Sequence, residues 1–333
     1  MAGLLKNDKI FVAGHLGLAG SNIVNCLRRH GYHNLLMKPR AELDLRDMRA
    51  VYEFFKASSP DVIVVAAAKV GGIHANNTYR ADFIYDNLQI QTNLIWGAHE
   101  HNIRRLAFLG STCVYPRNAP QPMKETDLLS SGLEYTNRPY AIAKIAGLEL
   151  VNSLRSQYSR DYFSVMPTNL YGPGDSFHPE NAHVLPALIQ RFWEAKTTNQ
   201  PSVTIWGSGK PLREFMFAED CADAIVHLLE NVNSKTFNDT EIGKLGWSHV
   251  NVGSGDEISI AELAKLIAKT VGYEGQIIQD ASKPDGTPRK LTDTTFLKSL
   301  GWKPKTPLAE GLKRTVEWYA DVFQTNQDKI RSN

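Results

Sequence analysis

The chain of 333 residues is short of cysteine, of long apolar runs and of any excess charge. Its three cysteines, Cys26, Cys113 and Cys221, are an odd and sparse set, which excludes a disulfide framework and points to a reducing compartment. The longest apolar run near the front, Val62 to Ala68, is far too short to span a bilayer. Met1 to Lys9 lacks the apolar core of a signal peptide, so a soluble cytoplasmic protein is expected. Lys plus Arg number 37 against 35 Asp plus Glu, a formal net charge of +2. That balance excludes a dedicated nucleic-acid or membrane-surface binder, while leaving room for a local basic pocket that holds a small anion. No H-E-x-x-H or similar metal-ligand spacing occurs, and no metal is expected. Repeats and low-complexity segments are absent too.

What is there is ample material for a core. Hydrophobic residues make up 42% and charged residues 22% of the chain, and the length suggests about two domains. Strand-like apolar runs at 9–13, 34–37, 61–68, 106–110 and 161–166 alternate with helical periodicity at 21–30, 48–57, 83–101 and 141–158. This alternation predicts an α/β fold: a doubly wound parallel Rossmann sheet buried on both faces. After Pro167 the pattern breaks, with Pro173-Gly174, Pro179 and Pro186 punctuating a loop-rich stretch. A strand at 203–206 and helices at 220–230, 260–271 and 308–323 follow. Residues 1–170 read as a nucleotide-binding domain and 171–333 as a mostly substrate-binding part, with a chain that crosses back into the first.

Directly after the first strand comes Gly14-His-Leu-Gly17-Leu-Ala-Gly20 and then a helix. Such a turn lets the backbone approach a pyrophosphate, and the helix supplies free N–H groups and its positive dipole end. The second strand ends in Lys38-Pro39-Arg40, with no carboxylate for a ribose 2′-hydroxyl. Two cations favour a 2′-phosphate, so NADP(H) is expected, with Arg40 as its principal clamp. Tyr140 and Lys144 are one helical turn apart and share a face. An ammonium beside a phenol lowers its pKa and fits it for proton transfer. The preceding strand ends in Ser111-Thr-Cys113, where open parallel sheets bind ligands, so Ser111 can meet a substrate oxygen beside Tyr140. Cys113 read alone is also a small buried apolar residue, and His183 a surface or capping one.

These residues resemble the extended short-chain dehydrogenase/reductase family. Longer stretches resemble, within it, the epimerase-reductases acting on a GDP-4-keto-6-deoxy sugar: 66–73 (AAAKVGGI), 75–79 (ANNTY), 81–85 (ADFIY), 140–147 (YAIAKIAG), 164–173 (SVMPTNLYGP), 206–209 (WGSG), 213–215 (REF) and 280–290 (DASKPDGTPRK). The resemblance implies conversion of GDP-4-keto-6-deoxy-D-mannose to GDP-L-fucose, by epimerisation at C3″ and C5″ and then reduction of C4″ with NADPH. It makes Cys113 the base and His183 the acid, with Ser111, Tyr140 and Lys144 stabilising the enolate and later protonating the alkoxide. It places the cofactor against Gly14, Gly17, Leu18 and Gly20, then Arg40, Asp44 and Leu45. Strand ends complete that surface through Ala67, Leu109, Ser111, Pro167, Asn169 and Leu170, with Tyr140, Lys144 and His183. Substrate contacts are expected from Arg191, Trp206, Arg213, Lys283 and Asp285. The resemblance also calls for Arg where Leu16 stands. A homodimer paired through the helices at 83–101 and 141–158 is implied, using Ile84, Leu88, Leu94 and Ile95. A 4,6-dehydratase or 4-epimerase of the same fold, or a non-catalytic NADP sensor, are the other readings; Ser111-Thr-Cys113 and the Tyr140/Lys144 pair weigh against them.

Overall fold

The computed structural model describes residues 3–178, 182–233, 235–282 and 285–325. Its strands are β1 (Ile10–Ala13), β2 (Leu35–Leu36), β3 (Val62–Val65), β4 (Arg105–Leu109), β5 (Asp161–Pro167) and β6 (Asn169–Tyr171). They continue as β7 (Ser202–Trp206), β8 (Leu212–Phe217), β9 (His249–Val252), β10 (Glu257–Ser259), β11 (Gln276–Asp280) and β12 (Arg289–Lys290). The helices are α1 (Leu18–Arg29), α2 (Met48–Ser58), α3 (Ile73–Thr78), α4 (Arg80–Glu100), α5 (Arg138–Tyr158) and α6 (Val184–Thr197). After them come α7 (Ala218–Asn231), α8 (Glu241–Lys244), α9 (Ile260–Val271), α10 (Thr295–Ser299) and α11 (Leu308–Thr325).

Six strands form one fully parallel sheet in the order β2-β1-β3-β4-β5-β9. Successive side chains in a strand point to opposite faces, so each strand feeds two cores. Ile10, Val12, Val62 and Val64 meet Ile23 and Leu27 of α1 and Ile225 and Leu229 of α7. Phe11, Ala13, Ile63 and Val65 meet Phe55 of α2, Leu94 of α4 and Leu148 of α5. Chain order reverses between β1 and β3, which makes the carboxyl ends of those strands the crevice where a dinucleotide binds in such sheets.

The remaining strands build small sheets around β8, which pairs with β6, β10 and β12, while β7 pairs with β11. A third core of Leu188, Phe192, Leu263, Ile267 and Tyr319 lies among α6, α9 and α11. The chain returns to the first sheet twice, through α7 against α1 and through β9 beside β5.

Two expectations need correction. Pro186 is not loop punctuation: it lies in the first turn of α6, where a missing N–H costs no intrahelical bond. Leu94 and Ile95 are wholly buried inside the chain's own core and are not available to a partner.

Candidate active site

β1 delivers the chain into Gly14, whose φ of +84° is left-handed. A Cβ there would sit 2.6 Å from the Ala67 nitrogen, so glycine lets the ends of β1 and β3 touch. A Cβ on Gly20 would lie 2.1 Å from the Gly14 carbonyl oxygen. Gly17 is the N-cap of α1 and offers no side-chain cap. The first turn of the helix is therefore left open, with Leu18 as its first residue. A backbone cradle that any Cβ would fill, at a positive helix end, fits a pyrophosphate.

At the end of β2 the two cations part company. Lys38 is tied to Glu42 at 2.6 Å, whereas Arg40 keeps 74% of its side chain exposed and reaches Asp44 only at 3.8 Å. Asp44 is itself held by Arg46 at 2.7 Å, which pulls its carboxyl down to about 2. Arg46 also reaches Asp86 at 3.2 Å, and Lys69 meets the same carboxylate at 3.0 Å. This network from α4 fixes the segment around Leu45, whose carbonyl accepts from Asn93 at 3.0 Å. Sequence reasoning missed Arg46, Asp86 and Lys69 because their pairing joins three separate elements. Leu16 stands exposed in the glycine loop, adding no charge.

The start of α5 is set by Glu134, whose carboxylate accepts from the Thr136 and Asn137 N–H groups at 3.1 and 3.0 Å. Pro139 follows inside the first turn. Tyr140 and Lys144 then both point into the protein and are buried. Lys144 Nζ donates to the Leu109 carbonyl at 2.8 Å and lies 4.7 Å from the Phe108 ring. Burial lowers its pKa to about 7. Gly147 permits this close approach of α5 to the sheet, since a Cβ there would meet Phe108 at 2.6 Å. Tyr140 packs edge-on to Phe83, with Cys113 against the same small cluster. Ser111 caps the short turn 112–114 through Oγ, which accepts from the Cys113 N–H at 3.3 Å.

The structure reverses the expectation that Lys144 lowers the Tyr140 pKa. Burial pushes the phenol well above its ordinary range, nearby Cys113 adds to that, and a hydrogen bond with Ser111 opposes both. Desolvation outweighs any help from an ammonium that is itself half-discharged near neutrality. Ser111, Cys113, Tyr140 and Lys144 thus converge at the carboxyl end of β4. His183 stands apart as the N-cap residue of α6. It is exposed, yet the protein around its ring disfavours the imidazolium and lowers its pKa.

Pro167 ends β5, and Asn169 and Leu170 begin β6. The Asn169 amide donates to the Glu214 carbonyl at 2.8 Å. Glu214 escaped sequence reasoning although it sits inside the REF motif. Its buried carboxylate accepts from the Gly255 N–H at 2.7 Å, and from the Thr292 N–H and hydroxyl at 2.9 and 2.7 Å. It therefore joins β8 to the segments after β9 and β12. Arg213, next in line, donates to the Leu212 carbonyl at 2.8 Å. Burial lowers its pKa while Asp285 pulls it back. A Cβ on Gly286 would be 2.8 Å from Arg213 Nη2 and 3.8 Å from Ile73, so Arg213 stands beside the segment that follows β3. Trp206 is 59% exposed, with the Arg191 guanidinium 5.4 Å from its ring. Asp285 accepts from the Ser208 N–H and hydroxyl at 2.8 and 2.7 Å and so holds the Gly207-Ser208 turn. Lys283 lies outside the described residues.

Residues 10–243 match the family model described as the NAD dependent epimerase/dehydratase family. "GDP-L-fucose synthase 1" of Arabidopsis thaliana is 54% identical over 314 residues, 94% of each chain. "GDP-L-fucose synthase" of Escherichia coli (strain K12) is 51% identical over 327 residues, 98% of this chain and 100% of that one. Among solved structures, a GDP-mannoheptose C4 reductase from Campylobacter jejuni with NADP bound superposes with a TM-score of 0.86 at 37% identity, covering 96% of this chain and 100% of that one. The chain belongs to the NAD dependent epimerase/dehydratase family and, within it, to the GDP-L-fucose synthases.

Proposed function

We propose that the protein converts GDP-4-keto-6-deoxy-D-mannose to GDP-L-fucose by 3,5-epimerisation followed by NADPH-dependent reduction of the 4-keto group. The observation that carries this reading is the convergence of Ser111, Cys113, Tyr140 and Lys144 at the carboxyl end of β4, on the same edge of the parallel sheet as the open glycine cradle. Both epimerised carbons lie α to the ketone, so their protons become acidic once an enolate is stabilised. Cys113 takes the proton from one face and His183 returns one to the other. Ser111 and Tyr140 donate hydrogen bonds to the C4″ oxygen. NADPH, when bound, supplies the hydride that reduces C4″. Tyr140 is kept protonated by burial and so has a proton to give to the resulting alkoxide. Lys144 resupplies charge beside it and meets the nicotinamide ribose.

Residues 1–170 hold the cofactor and 171–333 supply most of the substrate site, with Arg213, Arg191 and Lys283 for the diphosphate and Trp206 and Asp285 for the nucleotide or sugar. The test is incubation with GDP-4-keto-6-deoxy-D-mannose and NADPH, following loss of absorbance at the nicotinamide band. No consumption of NADPH with this substrate would refute the assignment.

Arg40 clamps the 2′-phosphate. Arg40→Ala is expected to raise KM for NADPH by about 10–100-fold, the equivalent of about 1.5–3 kcal/mol for a charge-assisted contact, with little change for NADH. Equal effects on both cofactors would place Arg40 away from that phosphate.

The protein is cytoplasmic and dimeric in this reading. No described helix is long and apolar enough to cross a membrane, and its three cysteines are free. On α4, Tyr85 and Trp96 are exposed, Ile84 and Leu88 half-buried, and Ile142 is exposed on the adjoining α5. A two-fold pairing of α4 and α5 covers them isologously. Light scattering at micromolar concentration is expected to give twice the chain mass; a monomer would end this part of the proposal.

A further inference from the structure

The C-terminal end of α1 lies against α7, and the join carries a cluster that the proposed chemistry does not use. Cys26 lies on α1 and His30, its C-cap residue, follows one turn later, so the two face the same way. Asp223 faces them from α7. The Cys26 sulfur, a His30 ring nitrogen and an Asp223 carboxylate oxygen all lie within 4.8 Å of one another. His30 Nε2 is 3.8 Å from Asp223 Oδ1, while its Nδ1 is 3.3 Å from Glu230 Oε1. Glu230 is in turn held by the Tyr32 hydroxyl at 2.9 Å. The second oxygen of Asp223 accepts from Trp302 Nε1 and Lys305 Nζ, both at 2.7 Å.

We propose that Cys26, His30 and Asp223 bind one zinc ion between α1 and α7, with water completing the coordination. Thiolate, imidazole and carboxylate are the donors zinc takes, at roughly 2.0–2.3 Å. Ligand atoms around a tetrahedral ion are then separated by about 3.3–3.8 Å, so little closing of this cluster is needed. Two anionic ligands balance the charge of the ion. Binding expels the Cys26 proton into solvent as the sulfur–metal bond forms. The surrounding contacts are those of an oriented site: Glu230 fixes the ring through Nδ1, leaving Nε2 for the metal, and Trp302 and Lys305 fix the carboxylate. Magnesium and calcium, which take oxygen ligands, are excluded by the donor set. No contiguous motif announces the site, because Asp223 comes from far along the chain. Its place is mechanical: α1 begins at the glycine cradle, and α7 follows the strand that carries Arg213.

The experiment uses the full chain, stripped with a chelator and titrated with CoCl₂ and then ZnCl₂ near neutral pH. One equivalent of cobalt is expected to produce a thiolate-to-metal band in the near ultraviolet, which zinc displaces. Zinc is also expected to raise the unfolding midpoint, where MgCl₂ does nothing. Cys26→Ser abolishes the band and Cys113→Ser leaves it. Glu230→Gln weakens binding about 10–100-fold. His30 is only half-buried, and His30→Gln loses the band even should Cys26→Ser fail to fold. A wild-type protein that gives no band, or a band lost in Cys113→Ser and kept in His30→Gln, shows a hydrogen-bonded cluster only and overturns the proposal.

Discussion

Lys144→Met is expected to stop keto reduction and, at neutral pH and below, to make the protein more stable. Lys144 is 2% exposed, and burial lowers its pKa from 10.5 to about 7. Between those two values the unfolded chain holds a proton that the folded protein has released, so this group makes stability rise with pH across about 7 to 10.5. Below about 7 both states hold the proton, and the folded state bears the whole cost of a buried ammonium. A drop from 10.5 to about 7 is worth on the order of 5 kcal/mol at 1.36 kcal/mol per pH unit. Methionine fills the same volume against Phe108 without charge. It also abandons the Leu109 carbonyl, which costs about 1–3 kcal/mol. A net gain of about 2–4 kcal/mol remains. Urea unfolding at about pH 6 and pH 9.5 decides the matter. The wild type should gain stability over that range more steeply than the variant. A variant less stable than wild type at the lower pH would show that the hydrogen bond outweighs the charge. Such a cost is what the catalytic role proposed for Lys144 would require the fold to carry.

The same residue shows where sequence reading ends. The Tyr140–Lys144 spacing is legible, because a helix turn dictates that the two share a face. Their environment is not, because Leu109, Phe108 and Cys113 reach them from β4 and the turn beyond it. Hence the direction of the Tyr140 shift came out opposite to the simple charge argument. The strands β1, β3, β4 and β5 were readable as apolar runs since helices cover both faces of the sheet. β9 was not, because His249 and Asn251 are polar and still buried. The Asn251 side chain accepts from the Tyr115 hydroxyl at 2.6 Å and donates to the Met123 carbonyl at 3.0 Å. β8 was hidden likewise by Arg213 and Glu214, the latter held by partners in the segments after β9 and β12. Proline misled at α6, where position within the helix mattered more than residue type. Asp285, expected at the substrate, holds the turn after Trp206, a pairing visible only once β7 and β11 lie side by side.

The two chemical stages should separate in a pair of variants. Cys113→Ser is expected to slow exchange of the C3″ and C5″ protons with solvent by about 10²–10⁴-fold, the usual worth of a positioned acid or base. A serine hydroxyl is a far weaker acid than a thiol and supplies no base near neutrality. Hydride transfer survives, because Tyr140 and Lys144 keep their places: Tyr140 owes its position to α5 and Phe83, and Lys144 to Leu109 and Phe108. The bond from the Cys113 N–H to Ser111 Oγ, which shapes the turn, is also untouched by the substitution. Unepimerised keto sugar is then reduced directly, and NADPH consumption continues while the product changes stereochemistry. Tyr140→Phe works the other way. It removes the proton donor for the C4″ alkoxide, so reduction falls by a comparable factor. Some proton exchange persists through Cys113 and His183, slowed because Ser111 alone is left to stabilise the enolate oxygen. Deuterium incorporation in D₂O, measured beside NADPH consumption for both proteins, reads the two stages independently. Exchange at the wild-type rate in Cys113→Ser would make Cys113 a packing residue of the Phe83–Tyr140 cluster. The base would then have to be found elsewhere, with His183 the nearest candidate by chemistry.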